Sequence, residues 1–262
     1  MATGLFSDLP APEVPLTRAP LTRVLAQIKF PSAPDLTAPE GQRELAKLLR
    51  NRYPVARQQA GINLVITPNG VVQQPDQNVV RQLHSKDSTW MVSYSDNFVS
   101  LETSSYESRR QFRERLEEVL SAISKTGDPV LADRIGIRYI NQITGHHLSR
   151  LHQYLRPETQ AGLALGRMSK HATLVQSVTE SLYAEGNDRM LIRQGWVPAR
   201  AMMEPTIPVL ESDSWVIDLD SFTDGPCDFT VSDIGERAEQ LASGAYRAFR
   251  ALITDEFLQD FI

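Results

Sequence analysis

The segment from residue 90 to residue 143 has the clearest alternation of hydrophobic and polar positions in the chain. Three large side chains occupy every second position and would share one face of a strand: Trp90, Val92 and Tyr94. Asp96-Asn97 then forms a two-residue turn of residue types that tolerate positive φ. The alternation continues from Phe98 to Thr103, so the pattern predicts a β-hairpin.

The same segment then changes to the period of an α-helix. Apolar residues at i, i+4, i+7, i+8 and i+11 form one helix face: Phe112, Leu116, Val119, Leu120 and Ile123. Gly127 follows as a residue type suited to the position after a helix C-terminus. Further alternation predicts a returning strand from Arg134 to Ile143, with these residues on one face: Ile135, Ile137 and Tyr139.

The rest of the chain repeats these two patterns. Alternating apolar residues predict strands that begin near Val24 and Trp215 and that occupy residues 172–184 and 189–196. Pro68-Asn69-Gly70 predicts a turn. A final helix, with Ser232 as its predicted N-cap, has one apolar stripe: Ile234, Ala238, Leu241, Ala245, Phe249 and Leu252.

Together these elements predict an α+β fold in which antiparallel sheets are each covered by long amphipathic helices. We predict an extended, proline-rich arm over 1–20, an α+β half over 21–145, a helical connector over 146–171 and a second α+β half over 172–262. Each half has a strand that opens on tryptophan, at Trp90 and Trp215, before a long helix. This similarity fits an internal duplication, and independent α+β patterning explains it equally well.

Composition narrows the class of protein. The net charge of −5 over 262 residues argues against a general nucleic-acid-binding protein, which would usually be basic. The single cysteine, Cys227, excludes an intrachain disulfide and fits a reducing cytoplasm. We see no signal peptide and no apolar run of membrane-spanning length, so we expect a cytoplasmic protein without a membrane partner.

Three carboxylates near the C-terminal end of the predicted sheet are candidate metal ligands: Asp218, Asp220 and Asp224. Alternation along a strand puts the first two on one face, where they could hold a divalent cation. The calcium-loop pattern fails, because Phe222 and Thr223 stand where an oxygen ligand and the glycine should be. The alternative is a solvated strand face that runs into a turn.

Arg134, Arg138 and Asn141 form the candidate binding surface on the returning strand. The two arginines project from one strand face ~13 Å apart, and they could grip an acidic partner or phosphates. The alternative, which we favour, is that they pair with acidic residues of the covering helices, since structural ion pairs are common.

Other reactive residue types lack the setting that catalysis needs. His146, His147 and His152 do not have the i, i+4 spacing of two metal ligands on one helix face. Cys227 would need a histidine base, and its Gly-Pro-Cys setting predicts a turn. The sequence also lacks the phosphate-cradling, dinucleotide and nucleophile-elbow glycine motifs. We therefore predict no cofactor and favour a non-enzymatic protein.

Segments spread over nearly the whole chain carry a family resemblance: Ala19-Pro20-Leu21, Gln27-Ile-Lys-Phe-Pro31, Tyr106 with Phe112, Arg134-Ile-Gly-Ile-Arg-Tyr-Ile-Asn141, Asp218-Leu-Asp-Ser-Phe-Thr223, and Phe249 with Ile253-Thr254-Asp255. They resemble an uncharacterised, sporadically distributed family of bacterial proteins of about 250 residues. The resemblance supplies no catalytic residues. The patchy occurrence of that family implies a gene in a mobile-element or defence-associated cassette.

Three functions follow as hypotheses. The first is a binding or regulatory module that acts through a protein partner or through self-association. The second is a metal-dependent enzyme that uses Asp218, Asp220 and Asp224. The third is a small-molecule sensor with a ligand held between a curved sheet and its helix.

Overall fold

The computed structural model describes residues 4–67 and 70–262, and it describes side chains in these ranges except at 59–79, 161 and 167. This part of the chain forms nine strands in one antiparallel sheet, together with six α-helices. The turn predicted at Pro68-Asn69-Gly70 includes residues outside the described ranges. None of the described helices has the length and apolar content needed to span a membrane.

The strands and helices have these bounds: β1 (Leu21–Lys29), α1 (Pro39–Leu49), β2 (Val55–Thr67), β3 (Gly70–His84), β4 (Trp90–Tyr94), β5 (Phe98–Thr103), α2 (Arg109–Gly127), β6 (Leu131–Thr144), α3 (Leu151–Tyr154), α4 (Ala161–Met168), β7 (Ser177–Glu185), β8 (Asp188–Val197), β9 (Ser214–Asp228), α5 (Val231–Leu252) and α6 (Asp255–Phe261). The strand order in the sheet is β2-β3-β4-β5-β1-β6-β9-β8-β7. Strands β2 and β7 are therefore the two terminal strands.

The chain divides into two compact units. Unit one comprises Met1–Val24, Gly136–Asp224 and Ala238–Ile262, and unit two comprises Leu25–Ile135 and Gly225–Arg237.

In unit two, the predicted hairpin is confirmed, because β4 and β5 pair antiparallel with Trp90 opposite Thr103. The ring of Trp90 lies 5.8 Å from that of Phe112 on α2, and the Arg115 guanidinium lies 4.1 Å above the Trp90 ring. The apolar stripe of α2 is buried, as its period predicts: Phe112, Leu116, Val119, Leu120 and Ile123. This stripe and the tryptophan form part of the core of unit two.

The end of α2 differs from the prediction. Gly127 is the last helical residue, and Asp128 adopts the left-handed conformation, with φ of 41°. Aspartate is one of the few residue types that tolerate this conformation, because its short polar side chain can hydrogen-bond locally. Glycine is needed at 127 for a different reason: a Cβ there would lie 2.5 Å from Leu36 Cγ.

In unit one, the core lies on the face of β9 that carries Trp215, Ile217 and Leu219. Helix α5 contributes Ala245 and Phe249 to the same cluster. Other members come from the short helices and the N-terminal segment: Leu5, Leu151, Tyr154, Leu155, Phe257, Leu258 and Phe261. The fold therefore leaves the opposite face of β9 for polar side chains and a small second cluster.

Helix α5 begins at Val231, whereas the predicted N-cap Ser232 would have it begin at residue 233. Thr230 Oγ1 accepts a hydrogen bond of 3.0 Å from Asp233 N, so Thr230 caps the helix and Ser232 lies in its first turn. Either hydroxyl side chain suits an N-cap, and the sequence alone does not distinguish two candidates so close together.

Candidate functional site

An ion-pair network occupies the second face of β9 in unit one, and Arg138 on β6 is its centre. Arg138 binds the Asp218 carboxylate through two atoms, with Nε 2.7 Å from Oδ1 and Nη2 2.8 Å from Oδ2. The same guanidinium donates to Glu204 Oε2 at 2.8 Å and to Thr206 Oγ1 at 2.6 Å. Four hydrogen bonds thus engage all three nitrogens of the arginine.

The network continues across the neighbouring strands. The strand register places Asp218 opposite Arg193 on β8, and Arg193 opposite Glu180 on β7. Arg193 Nη1 lies 3.3 Å from Asp218 Oδ2, and its Nε lies 2.6 Å from Glu180 Oε2. Positive and negative charges therefore alternate over four adjacent strands, from Arg138 on β6 to Glu180 on β7. The Asp218 carboxylate is fully buried and the Glu180 carboxylate is exposed.

Burial and charge act in opposite directions on this network. Burial alone would lower the pKa of Arg138, but hydrogen bonds and charge from Asp218 and Glu204 outweigh it and raise the pKa above its ordinary value. For Glu204, burial favours the neutral acid, while the hydrogen bond from Thr206 and the charge of Arg138 bring its pKa below the usual range. The guanidinium and the Glu204 carboxylate are therefore charged at neutral pH.

Arg138, a residue of the predicted binding surface, is engaged by acidic groups of its own chain. Its side chain is buried, with 7% of the residue exposed, and its donors already hold acidic groups of the same chain. The acids come from strand β9 and from the loop after β8, rather than from covering helices as we expected. A buried guanidinium needs such partners, because a charge left alone in the interior is costly.

The other two residues of the predicted binding surface are also engaged within the chain. Asn141 is buried, and its Nδ2 donates to the Ile217 carbonyl oxygen at 3.2 Å, which joins β6 to β9. Arg134 belongs to unit two, where its Nη1 lies 3.4 Å from Gln27 Oε1. The structure therefore gives Asn141 and Arg138 structural contacts inside the sheet.

The predicted metal ligands do not converge. Both oxygens of Asp218 contact arginines, and Asp224 Oδ2 lies 3.8 Å from Arg189 Nε in a partly exposed pair. Residues 218 and 224 are six positions apart on β9, roughly 20 Å along a strand, which is far beyond the reach of one ion. In the described ranges, no group of three His, Cys, Asp or Glu residues is placed to hold a metal ion.

A second polar cluster lies where α3 meets the C-terminal helix α6, within unit one. Tyr154 donates to Asp260 Oδ2 at 2.5 Å, and Arg150 forms an ion pair with the same carboxylate. Because the tyrosine proton is directed at Asp260, His147 Nδ1, 2.9 Å from the hydroxyl, acts as the donor in that contact. Burial, followed by the hydrogen bond and charge of Asp260, raises the pKa of Tyr154 to about 12.

Cys227 does not have the environment of a nucleophile. Burial raises the pKa of its thiol, and the nearby carboxylates of Asp233 and Asp228 raise it further, while Arg237 has a smaller opposite effect. A reactive cysteine needs a lowered pKa, because the thiolate is the nucleophile. The thiol of Cys227 is therefore protonated and unreactive at neutral pH.

Strand β7 forms an exposed edge that sequence analysis did not identify. It is the terminal strand on its side of the sheet, and seven of its nine residues are exposed. Val178 and Leu182 project from one face with 43% and 62% of their surface exposed. We call this strand and its outward edge the β7 edge.

Ser177, the first residue of β7, packs closely against the backbone of β8 and against the short helix α4. A Cβ at Gly195 would lie 1.7 Å from the Ser177 carbonyl oxygen, and one at Gly162 on α4 would lie 2.3 Å from Ser177 Oγ. Further apolar side chains are exposed on and after that helix: Leu165, Met168 and Val175. Exposed apolar side chains therefore occur on α4, in the segment after it and on β7.

A groove with a cavity volume of about 720 Å³ lies in unit two, between α1 and the strands β2, β3 and β4. Its lining residues are Pro39, Gln42, Arg43, Ala46, Ala56, Arg57, Gln58, Arg81, Gln82, Leu83 and Tyr94. The register pairs Gln58 with Arg81 and Arg81 with Tyr94, so these three side chains share one sheet face. We call this cavity the α1 groove.

The chain has no match among protein-family models, and comparison with curated proteins also gives none. The resemblance to a bacterial family therefore stays a prediction.

Proposed function

We propose that this chain is a non-enzymatic binding or regulatory protein of the cytoplasm that acts through a protein partner bound at the β7 edge. The observation that carries the proposal is the exposure of this nine-residue terminal strand, with Val178 and Leu182 in solvent. A terminal strand has backbone N–H and C=O groups without a strand neighbour on one side, and an extended segment of another protein can pair with them.

The β7 edge lacks two protections that terminal strands commonly have. Proteins often discourage pairing with lysine or proline on such a strand, and Ser177–Glu185 contains neither residue type. Its two carboxylates, Glu180 and Glu185, would repel an acidic segment but not a basic one. The strand is therefore suited to accept a neighbour.

Charge selects the kind of partner. Strand β7 carries two carboxylates, Glu180 and Glu185, and no Lys or Arg. A second copy of the chain would bring only more carboxylates to the same strand pair, whereas a segment with alternating apolar and basic residues would complement both charge and apolar surface. We therefore propose a basic, extended segment of a different protein as the occupant.

The test uses two nine-residue probe peptides, one alternating valine with lysine and one alternating valine with glutamate. Fluorescence anisotropy should show that the lysine peptide binds and that added salt weakens it. Hydrogen–deuterium exchange should slow at β7 when it binds. Leu182→Lys should weaken binding at least tenfold, while Val209→Lys, at an exposed apolar position outside β7, should leave it unchanged.

Three outcomes contradict the proposal. These are no binding of the lysine peptide at millimolar concentration, equal binding of both peptides, and slowed exchange outside β7. A concentration-dependent dimer in sedimentation that Leu182→Lys abolishes would make a second copy the occupant and overturn the choice of a different protein.

Two further parts of the proposal rest on sequence patterns. The nine strands belong to one sheet, and we propose that the long amphipathic helix of each half covers the strands of that half, with the halves arising from one duplicated unit. We also propose that the gene lies in a mobile-element or defence-associated cassette, which its genomic neighbours would test. The contacts of Asp218 with Arg138 and Arg193 argue against the alternative of a metal-dependent enzyme that uses this carboxylate.

A further inference from the structure

The α1 groove has the size and the chemistry of a ligand site, and it is independent of the β7 edge. Small-molecule sites usually enclose about 300–1,000 Å³, and the groove, at about 720 Å³, lies inside this range. Its walls combine apolar surface from Pro39, Ala46 and Leu83 with a few polar side chains. An apolar body with one polar head group would suit such a lining.

The polar side chains of the groove are cationic or neutral. Three arginines line it: Arg43 on α1, Arg57 on β2 and Arg81 on β3. Among the described lining residues there is no carboxylate. Burial raises the pKa of Tyr94, which shares a sheet face with Arg81, and the charge of Arg81 lowers it, so the tyrosine is a neutral hydroxyl beside a guanidinium.

The position of α1 adds to the positive potential. Pro39 is the first residue of this 11-residue helix and lines the groove, so the N-terminal, positive end of the helix dipole is present there, although Glu40 in the first turn partly offsets it. Arg43 also contacts Glu40, with 2.7 Å between Nη2 and Oε1, but both side chains are largely in solvent. An exposed pair of this kind is weak, so an anion in the groove can compete with Glu40 for the guanidinium.

We propose that the α1 groove binds a small organic phosphate, with the phosphate held by Arg43 and Arg81 and the organic body against the apolar wall. Two guanidinium groups match the charge of a phosphate monoester, which is close to −2 at neutral pH. Guanidinium groups hold phosphate through paired hydrogen bonds, and Gln58 lies on the same face as a neutral donor.

The test compares phosphates with their neutral counterparts on the full chain. Calorimetry and thermal unfolding would be measured with glycerol 3-phosphate, ribose 5-phosphate and adenosine 5′-monophosphate, and with glycerol, ribose and adenosine. At least one phosphate should bind and raise the melting temperature, while its neutral counterpart does not. Inorganic phosphate and malate serve as two further arms, for the head group alone and for a carboxylate.

Two arginine variants make a matched pair. Arg43→Gln should weaken phosphate binding about tenfold, because Arg43 lines the groove. Arg50→Gln makes the same chemical change at an exposed arginine just after α1, outside the groove, and should have no effect. Both positions are exposed, so both variants should fold.

A second pair of variants tests the cavity itself. Ala46→Trp fills the groove from the helix and should abolish binding, whereas Leu48→Trp, at a partly exposed position on the same helix outside the lining, should preserve it. The proposal is overturned if no phosphate binds at millimolar concentration, if neutral counterparts bind equally, if malate binds more tightly than every phosphate, or if Arg43→Gln and Ala46→Trp retain full affinity.

Discussion

Replacing Arg138 by leucine tests whether the ion-pair network stabilises the fold. After the substitution, the fully buried Asp218 keeps its contact with Arg193 but loses the one with Arg138. Glu204 also loses its contact with Arg138. Removing one partner of a buried ion pair costs about 3–5 kcal/mol, because the other charge stays buried. In a chain of this size, each kcal/mol lowers the melting temperature by roughly 2–4 °C, so we expect a fall of roughly 6–20 °C.

The control uses an ion pair on the surface of the same unit. Arg200 Nε lies 2.8 Å from Glu211 Oε2, but both side chains are about four-fifths exposed, at 78% and 81%. Pairs of this kind contribute about 0–1 kcal/mol, so Arg200→Leu should change the melting temperature by no more than a few degrees.

A double-mutant cycle separates lost pairing from lost packing. Arg138→Leu is expected to destabilise the protein because the buried Asp218 carboxylate loses its ion pair with Arg138. In that case the double variant Arg138→Leu/Asp218→Leu should lose less unfolding free energy than the sum of the two single variants. Chemical denaturation monitored by circular dichroism would supply the free energies. Equal melting shifts for Arg138→Leu and Arg200→Leu would refute the reasoning, and additive single changes would show that the two side chains are not coupled.

Three more predictions follow from buried groups. Trp90→Ala and Trp215→Ala should each lower the free energy of unfolding by about 3–5 kcal/mol, because both rings are buried, and a melting shift of one or two degrees would show a peripheral ring. The pKa of Tyr154 is raised to about 12 from 10, so the folded state keeps the phenol proton to a higher pH than the unfolded state does. The free energy of unfolding should therefore fall between about pH 10 and pH 12, and it should fall less in Tyr154→Phe. Gly195→Ala should speed amide exchange in β7, since the new Cβ meets the Ser177 carbonyl oxygen; unchanged exchange would contradict this contact.

Local periodicity explains what the sequence predicts well. The β4–β5 hairpin and the buried stripe of α2 depend on neighbours within a few residues, and both agree with the structure. Helix ends were less accurate: Thr230 caps α5 in place of Ser232, and Asp128 takes the left-handed conformation in place of Gly127. Several residue types satisfy an end position almost equally, so tertiary contacts decide among them.

Long-range pairing explains what the sequence could not predict. The sequence predicts Arg138 and Asp218 as members of two separate sites, because nothing local relates residues 80 positions apart. The α1 groove likewise brings Arg43 beside strands that follow later in the chain. The alternating residues of β7 predict that it is a strand. They do not predict that it is exposed, because exposure depends on its terminal position in the sheet.

The contacts of Glu204 and Thr206 with Arg138 have a practical consequence for modifying the gene. Surface loops usually tolerate inserted residues, and the loop between β8 and β9 contains two kinds of position. An epitope tag placed beside the exposed Glu211 should be accepted and leave expression intact. The same tag between residues 204 and 206 would pull both side chains away from the guanidinium, and it should yield insoluble protein.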